Sequence, residues 1–181
     1  MSHPPPSPFP SPSPCLIIVD VQNDYVLPSA ALPCPDAPAI VPHIHAAAHS
    51  GFFSAGLYLS ADDKPPAAEG SQPASGTCQW PPHCISGSFG AQIHAGLRHE
   101  QLPHAVVVTK SNSMSAFGSE AKGETTPLRL LLQQRPPSHA VVCGLALEYC
   151  VMETAVDCAR MQMRTCVVLD GSRYYRQVGE G

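Results

Sequence analysis

Three residues of complementary chemistry stand just beyond apolar runs: Asp20 after LIIV, Lys110 after AVVVT, and Cys150 after AVVC and the turn GLALEY. A cysteine that opens a helix lies at the positive end of the helix dipole, which favours its thiolate. A thiolate becomes a nucleophile when a neighbouring base takes its proton and a cation or amide groups stabilise the charge that develops. Asp20 has the type of that base and Lys110 the type of that cation. Each residue also has a purely structural role open to it. A free cysteine is usually an inert small buried group, and strand-end charges often pair only with each other. The catalytic reading requires all three to converge.

Convergence demands a scaffold that brings several strand ends together. Short Val-, Ile- and Leu-rich runs recur at Cys15 to Val21, Gly56 to Ser60, Ala105 to Thr109, Ala140 to Gly144 and Thr165 to Leu169. Helix-prone stretches separate them: Ala39 to His49 despite Pro42, LRLLLQQ after Thr126-Pro127, and Val151 to Gln162. This alternation predicts an α/β fold with a mostly parallel sheet buried on both faces. In such sheets ligands gather at the carboxyl ends of the strands, where Asp20, Lys110 and the Cys150 segment all fall. The Pro-, Gly- and Ser-rich stretch Ala61 to Ile93 leaves from such an end and reads as a long functional loop.

Composition narrows the function. The 181 residues carry 10 Lys plus Arg against 14 Asp plus Glu, the wrong sign for a nucleic-acid partner. No apolar window is long enough for a membrane span and no secretory leader is visible, so a cytoplasmic protein is expected. The eight cysteines include no Cys-x-x-Cys, which argues for free thiols rather than a disulfide framework or a zinc finger. Residues 1 to 14 hold seven prolines interleaved with Ser, predicting a disordered leader ahead of one domain spanning 15 to 181.

Four segments in order, IIVDVQNDY (17 to 25), WPPHCISGSFGAQIH (80 to 94), Lys110 with SMSAF (113 to 117) and GLALEYCVMETAVDCA (144 to 159), resemble the cysteine hydrolases of the isochorismatase superfamily, and most closely their nicotinamidase branch. The resemblance implies a three-layer α/β/α fold and a triad of Asp20 as general base, Lys110 as stabilising cation and Cys150 as nucleophile. It implies an oxyanion hole from the backbone N–H groups of Ala146 and Cys150, with a cis bond between Leu145 and Ala146. Tyr25 and Trp80 fall on its ring-packing positions, and Met114 stands where many relatives carry an aromatic residue. The implied activity is hydrolysis of a small amide, nicotinamide, through a cysteine thioester. The alternatives are a metal-independent isochorismatase-like hydrolase acting on another small substrate and a catalytically silent relative.

The same resemblance implies a divalent metal, zinc or manganese, on one Asp and three His. Asp62 and His83 match, but Lys64 stands at the second ligand and no His occurs near Ala67 to Gly70. An ammonium cannot ligate a cation and repels one, so the expectation is an incomplete site, with Glu69 and Asp63 as the only nearby substitutes. His45 and His49, four apart on the first long helix, read as a solvated face rather than a ligand pair, and His94 is ambiguous. The chain stops soon after VVLDGSRYYR, where relatives usually continue, which leaves one sheet face expected to be undercovered, with either homo-oligomerisation to cover it or a marginally stable protein as the outcome.

Overall fold

The computed structural model describes residues 13–66, 80–102 and 104–175. Most of the expected proline leader, and Glu69 with Ala67 to Gly70, lie outside the described residues. All five expected strands form: β1 (Cys15–Val19), β2 (Gly56–Asp62), β3 (Ala105–Lys110), β6 (Ala140–Leu145) and β7 (Thr165–Arg173). They make one parallel sheet in the order β3-β2-β1-β6-β7. A second, two-stranded antiparallel sheet pairs β4 (Gly118–Ser119) with β5 (Glu124–Thr125).

The central strand β1 is buried along its whole length, and its side chains alternate between two cores. Leu16 and Ile18 pack into a cluster with Ile40 and Ile44 of α2 (Ala37–Ala48). Cys15, Ile17 and Val19 face the other way, into a cluster with Leu128 and Leu132 of α3 (Leu128–Gln134) and Cys158 of α4 (Met152–Arg160). Helices therefore cover both faces, giving the expected three layers. α2 runs through Pro42 unbroken, with Pro38 in its first turn where the missing N–H costs nothing. A single helical turn, α1 (Asn23–Val26), follows β1. Along β7, Leu169 is 65 % exposed and shares a surface depression with Met152 and Val156 of α4.

β1 is two residues shorter than expected. It ends at Val19, and Asp20 turns off with φ 54°, a left-handed conformation that Asp tolerates better than most side chains. The neighbouring strand yields to this turn. Gly144 has φ 127°, and a Cβ there would lie 2.0 Å from the Val19 carbonyl oxygen. Gly144→Ala should therefore cost about 3 kcal/mol or more, from strain and a backbone clash together. A thermal melt unchanged from the parent would refute this account of the junction.

Candidate active site

Every parallel strand from β3 to β6 delivers one reactive residue at its carboxyl end. Asp20 follows β1, Asp62 closes β2, Lys110 closes β3, and Cys150 lies in the π-helical turn Leu147–Val151 that joins β6 to α4. Asp62 and Lys110 are register partners on adjacent strands. The Lys110 stem spans the sheet end, so its Nζ lies 2.5 Å from Asp62 Oδ1, 2.9 Å from Asp20 Oδ2 and 3.9 Å from Cys150 Sγ. The structure thus brings Asp20, Lys110 and Cys150 together. Asp62 is a second carboxylate on the same ammonium.

Proton positions follow from burial. Asp20 is raised above the usual carboxylate range, by burial first, with Lys110 opposing and Asp62 adding to the rise. Its Oδ1 accepts from Ser60 Oγ at 3.1 Å, and its buried Oδ2 pairs with the Lys110 ammonium at 2.9 Å. Burial disfavours the ammonium of Lys110, but Asp20, Cys150 and Asp62 outweigh it and hold the group charged. Burial also pushes the Cys150 thiol well above its ordinary value, despite Lys110 beside it. Burial thus opposes the stabilisation of a thiolate that the helix position favours, and it outweighs the neighbouring cation.

A correction concerns Leu145–Ala146. No cis peptide occurs among the described residues, and Ala146 adopts an extended conformation, φ −63° and ψ 120°, that carries β6 into the π-helical turn through a trans bond. Ala146 still lines the cavity beside Cys150.

That cavity has a volume of about 420 Å³, within the usual range for small-molecule sites. Tyr25, Trp80 and Met114 all line it, as expected, together with Tyr149 and Tyr175. Trp80 packs edge-to-face on Tyr149 at 5.5 Å and on Tyr175 at 4.5 Å, building an aromatic wall from three separate segments. Met114 is 37 % exposed at the rim. The Tyr25 hydroxyl donates to Asp62 Oδ2 at 2.5 Å, so this ring is held by the carboxylate it flanks.

Side chains that carry no chemistry fix these positions. Buried Gln22 clasps the end of β2, donating to the Asp62 carbonyl at 2.7 Å and accepting the Asp62 N–H at 2.8 Å, while also donating to the Ala91 carbonyl. Asp24 accepts the Cys84 N–H at 2.7 Å and Asn23 donates to the Phe89 carbonyl at 2.8 Å, which ties the Trp80 to Cys84 segment to the end of β1. Glu124 accepts the N–H groups of Ser111 and Asn112, bracing the turn after Lys110. Thr154 Oγ1 accepts the Ala116 N–H at 3.0 Å, docking SMSAF on α4. Sequence reasoning singled out none of these five residues, although four of them, Gln22, Asn23, Asp24 and Thr154, lie in motifs it quoted. A polar residue inside an otherwise buried motif was the available signal.

The residues present do not fit a divalent metal. Asp62 Oδ1 faces Lys110, and Oδ2 accepts from Tyr25 and, at 2.6 Å, from Lys64 Nζ. His83 Nδ1–H donates to the Pro81 carbonyl at 2.7 Å, so Nε2 is the acceptor, and it meets the same Lys64 Nζ at 2.5 Å. The lysine ammonium occupies the point where both expected ligands converge. Asp63 is exposed, and no group of three metal-binding side chains occurs among the described residues. His45 and His49 do not face solvent idly: both rings hold the Leu97 carbonyl at 3.2 Å, tying α2 to the following loop. His94 Nδ1 accepts the Gly96 N–H at 3.1 Å.

Known proteins share this arrangement of elements. The chain is 34% identical over 163 residues to a nicotinamidase/pyrazinamidase of Mycobacterium tuberculosis, covering 86% of this chain and 83% of that protein. Its fold superposes on the crystal structure of PnC1 from L. infantum in complex with nicotinate with a TM-score of 0.81 at 31% identity, covering 93% of this chain and 84% of the other. It superposes on a pyrazinamidase of Pyrococcus horikoshii in complex with zinc with a TM-score of 0.74 at 26% identity, covering 91% and 88%. The isochorismatase domain matches residues 14–175, nearly the whole of the described fold: the chain belongs to the isochorismatase family.

Proposed function

We propose that this chain hydrolyses nicotinamide to nicotinate and ammonia through a thioester on Cys150. The observation that carries the reading is the cluster of buried Asp20 and Lys110 with half-buried Cys150 at one end of an aromatic-walled cavity. The names of its relatives, the nicotinamidase/pyrazinamidase and the nicotinate complex, support the substrate. Asp20 takes the Cys150 proton as sulfur attacks the carboxamide carbon. The C=O π electrons move to oxygen, where the backbone N–H groups of Ala146 and Cys150 stabilise the oxyanion. As the intermediate collapses the C–N bond breaks and Asp20 returns the proton to nitrogen, releasing ammonia. Asp20, again a carboxylate, deprotonates water, whose oxygen forms the new C–O bond. The C–S bond then breaks, and the proton returns to sulfur. Lys110 stays charged throughout and offsets the negative charge passed between Asp20 and Cys150.

On this reading the enzyme serves NAD salvage in the cytoplasm; no described helix is long and apolar enough to cross a membrane. Ammonia release from nicotinamide by the purified full chain tests it directly, and silence from folded protein would sink it. The ring slot makes its own prediction. Trp80→Ala should raise KM for nicotinamide about tenfold, with a smaller effect on kcat, because ring stacking binds ground state and transition state alike. Steady-state kinetics with an unaltered KM would remove Trp80 from the pocket.

A further inference from the structure

We propose that this chain works without a metal, and that the Lys64 ammonium, fixed between Asp62 and His83, is the built-in cation that binds the substrate's ring nitrogen. The second half rests on the nicotinamide reading above. The first stands on geometry alone.

An ammonium has three N–H donors. Lys64 spends one on Asp62 Oδ2 at 2.6 Å and one on His83 Nε2 at 2.5 Å, which leaves one. Its side chain is 27 % exposed and lines the cavity, so that donor opens onto the substrate space. The two anchors remove the freedom that makes a lysine a loose binder, and they hold the charge at one point. Cys150, Asp62, Lys64 and His83 line the same cavity, and buried Lys110 links Cys150 to Asp62, which in turn holds Lys64 beside His83. A flat ring that presents its carboxamide to Cys150 therefore extends toward Lys64, and a pyridine nitrogen there accepts the third N–H.

Charge balance excludes a dication at the same point. Asp20 and Asp62 already face Lys110 and Lys64, two carboxylates against two ammoniums. Adding two positive charges would leave an uncompensated buried excess unless Lys64 withdrew, and withdrawal would forfeit both of its hydrogen bonds. The segment 67–79 offers Glu69 and Cys78 but no histidine with which to rebuild the lost ligands.

The full chain, stripped with a chelator and then incubated with zinc or manganese, should take up far less than one ion per chain, and chelation should leave its rate on nicotinamide unchanged. Near-stoichiometric uptake, or a rate lost on chelation and restored by metal, would overturn the claim. The wild type should prefer nicotinamide to benzamide, which lacks the ring nitrogen, and Lys64→Met should lower that kcat/KM ratio by about ten- to hundredfold, as expected for one hydrogen bond from a charged donor. No preference in the wild type, or an undiminished one in folded Lys64→Met, would remove the ring contact. Lys64→His should gain uptake of about one zinc per chain; failure to gain it would show that Lys64 is not what excludes the metal. A wild type silent on both amides would defeat the amidase reading and the ring contact with it, while zinc uptake by the unaltered chain would still decide the cation claim.

Discussion

Cys150→Ala should abolish ammonia release, with a loss of about 10⁴-fold or more, while the melting temperature should stay close to that of the parent. The size follows from covalent catalysis, since without sulfur no thioester forms and the cavity retains only binding and polarisation. Stability survives because the side chain lies at a cavity wall, so truncation removes little packing. Cys150→Ser separates nucleophile from shape. Its hydroxyl fits the same space, but an alcohol is far harder to deprotonate than a thiol, and Asp20 is matched to a thiol already pushed up by burial. The serine variant should be folded and nearly as inactive. Ammonia release within about tenfold of the parent in either variant would remove Cys150 from the mechanism, because losses that small arise from indirect effects of packing.

Much of this site was legible in the sequence because parallel α/β sheets impose a rule. Strands buried on both faces read as apolar runs, and a charged residue at the end of such a run must be paired or used. Asp20 and Lys110 stood out for that reason, and both prove buried against each other. Cys150 needed its motif, since a lone cysteine after a turn has no distinguishing pattern. Trp80 was legible as a lone tryptophan in a loop with little core to join, but its partners Tyr149 and Tyr175 were not, because edge-to-face packing joins segments remote in sequence. The burial that opposes a thiolate at Cys150 was not legible, for a physical reason. Helix position can be read from sequence, whereas the depth of burial that outweighs it depends on the assembled walls. Lys64 was legible as a break in a ligand pattern, and only the fold shows it bridging the two ligands that remain.

Lys110→Met should be the most damaging substitution for stability and should abolish activity as well. Removing this ammonium leaves Asp20 and Asp62 buried near one another, with Lys64 pairing with Asp62 but not with Asp20. Breaking a buried pair in this way costs about 3 to 5 kcal/mol, which lowers the melting temperature by about 10 °C in a chain of this size. The loss should depend on pH with a definite sign. In the parent, burial and Asp62 raise Asp20, while Lys110 and, to a smaller extent, a hydrogen bond with Cys150 lower it; removing Lys110 takes away the largest lowering influence. A carboxyl whose folded pKa lies above its unfolded value, about 3.9, holds more protons folded than unfolded, so its stability contribution falls as pH rises through that interval. The variant's deficit against the parent should therefore be larger at pH 8 than at pH 5, and a deficit that is flat or reversed would contradict the assignment of Asp20 and Lys110 as one electrostatic unit. The double variant Asp20→Asn, Lys110→Met removes one charge of each sign and should recover much of the lost stability. A purely structural ion pair would let activity recover with the fold. A catalytic pair predicts a stable protein that releases no ammonia, because neither the base for the thiol nor the cation beside it remains.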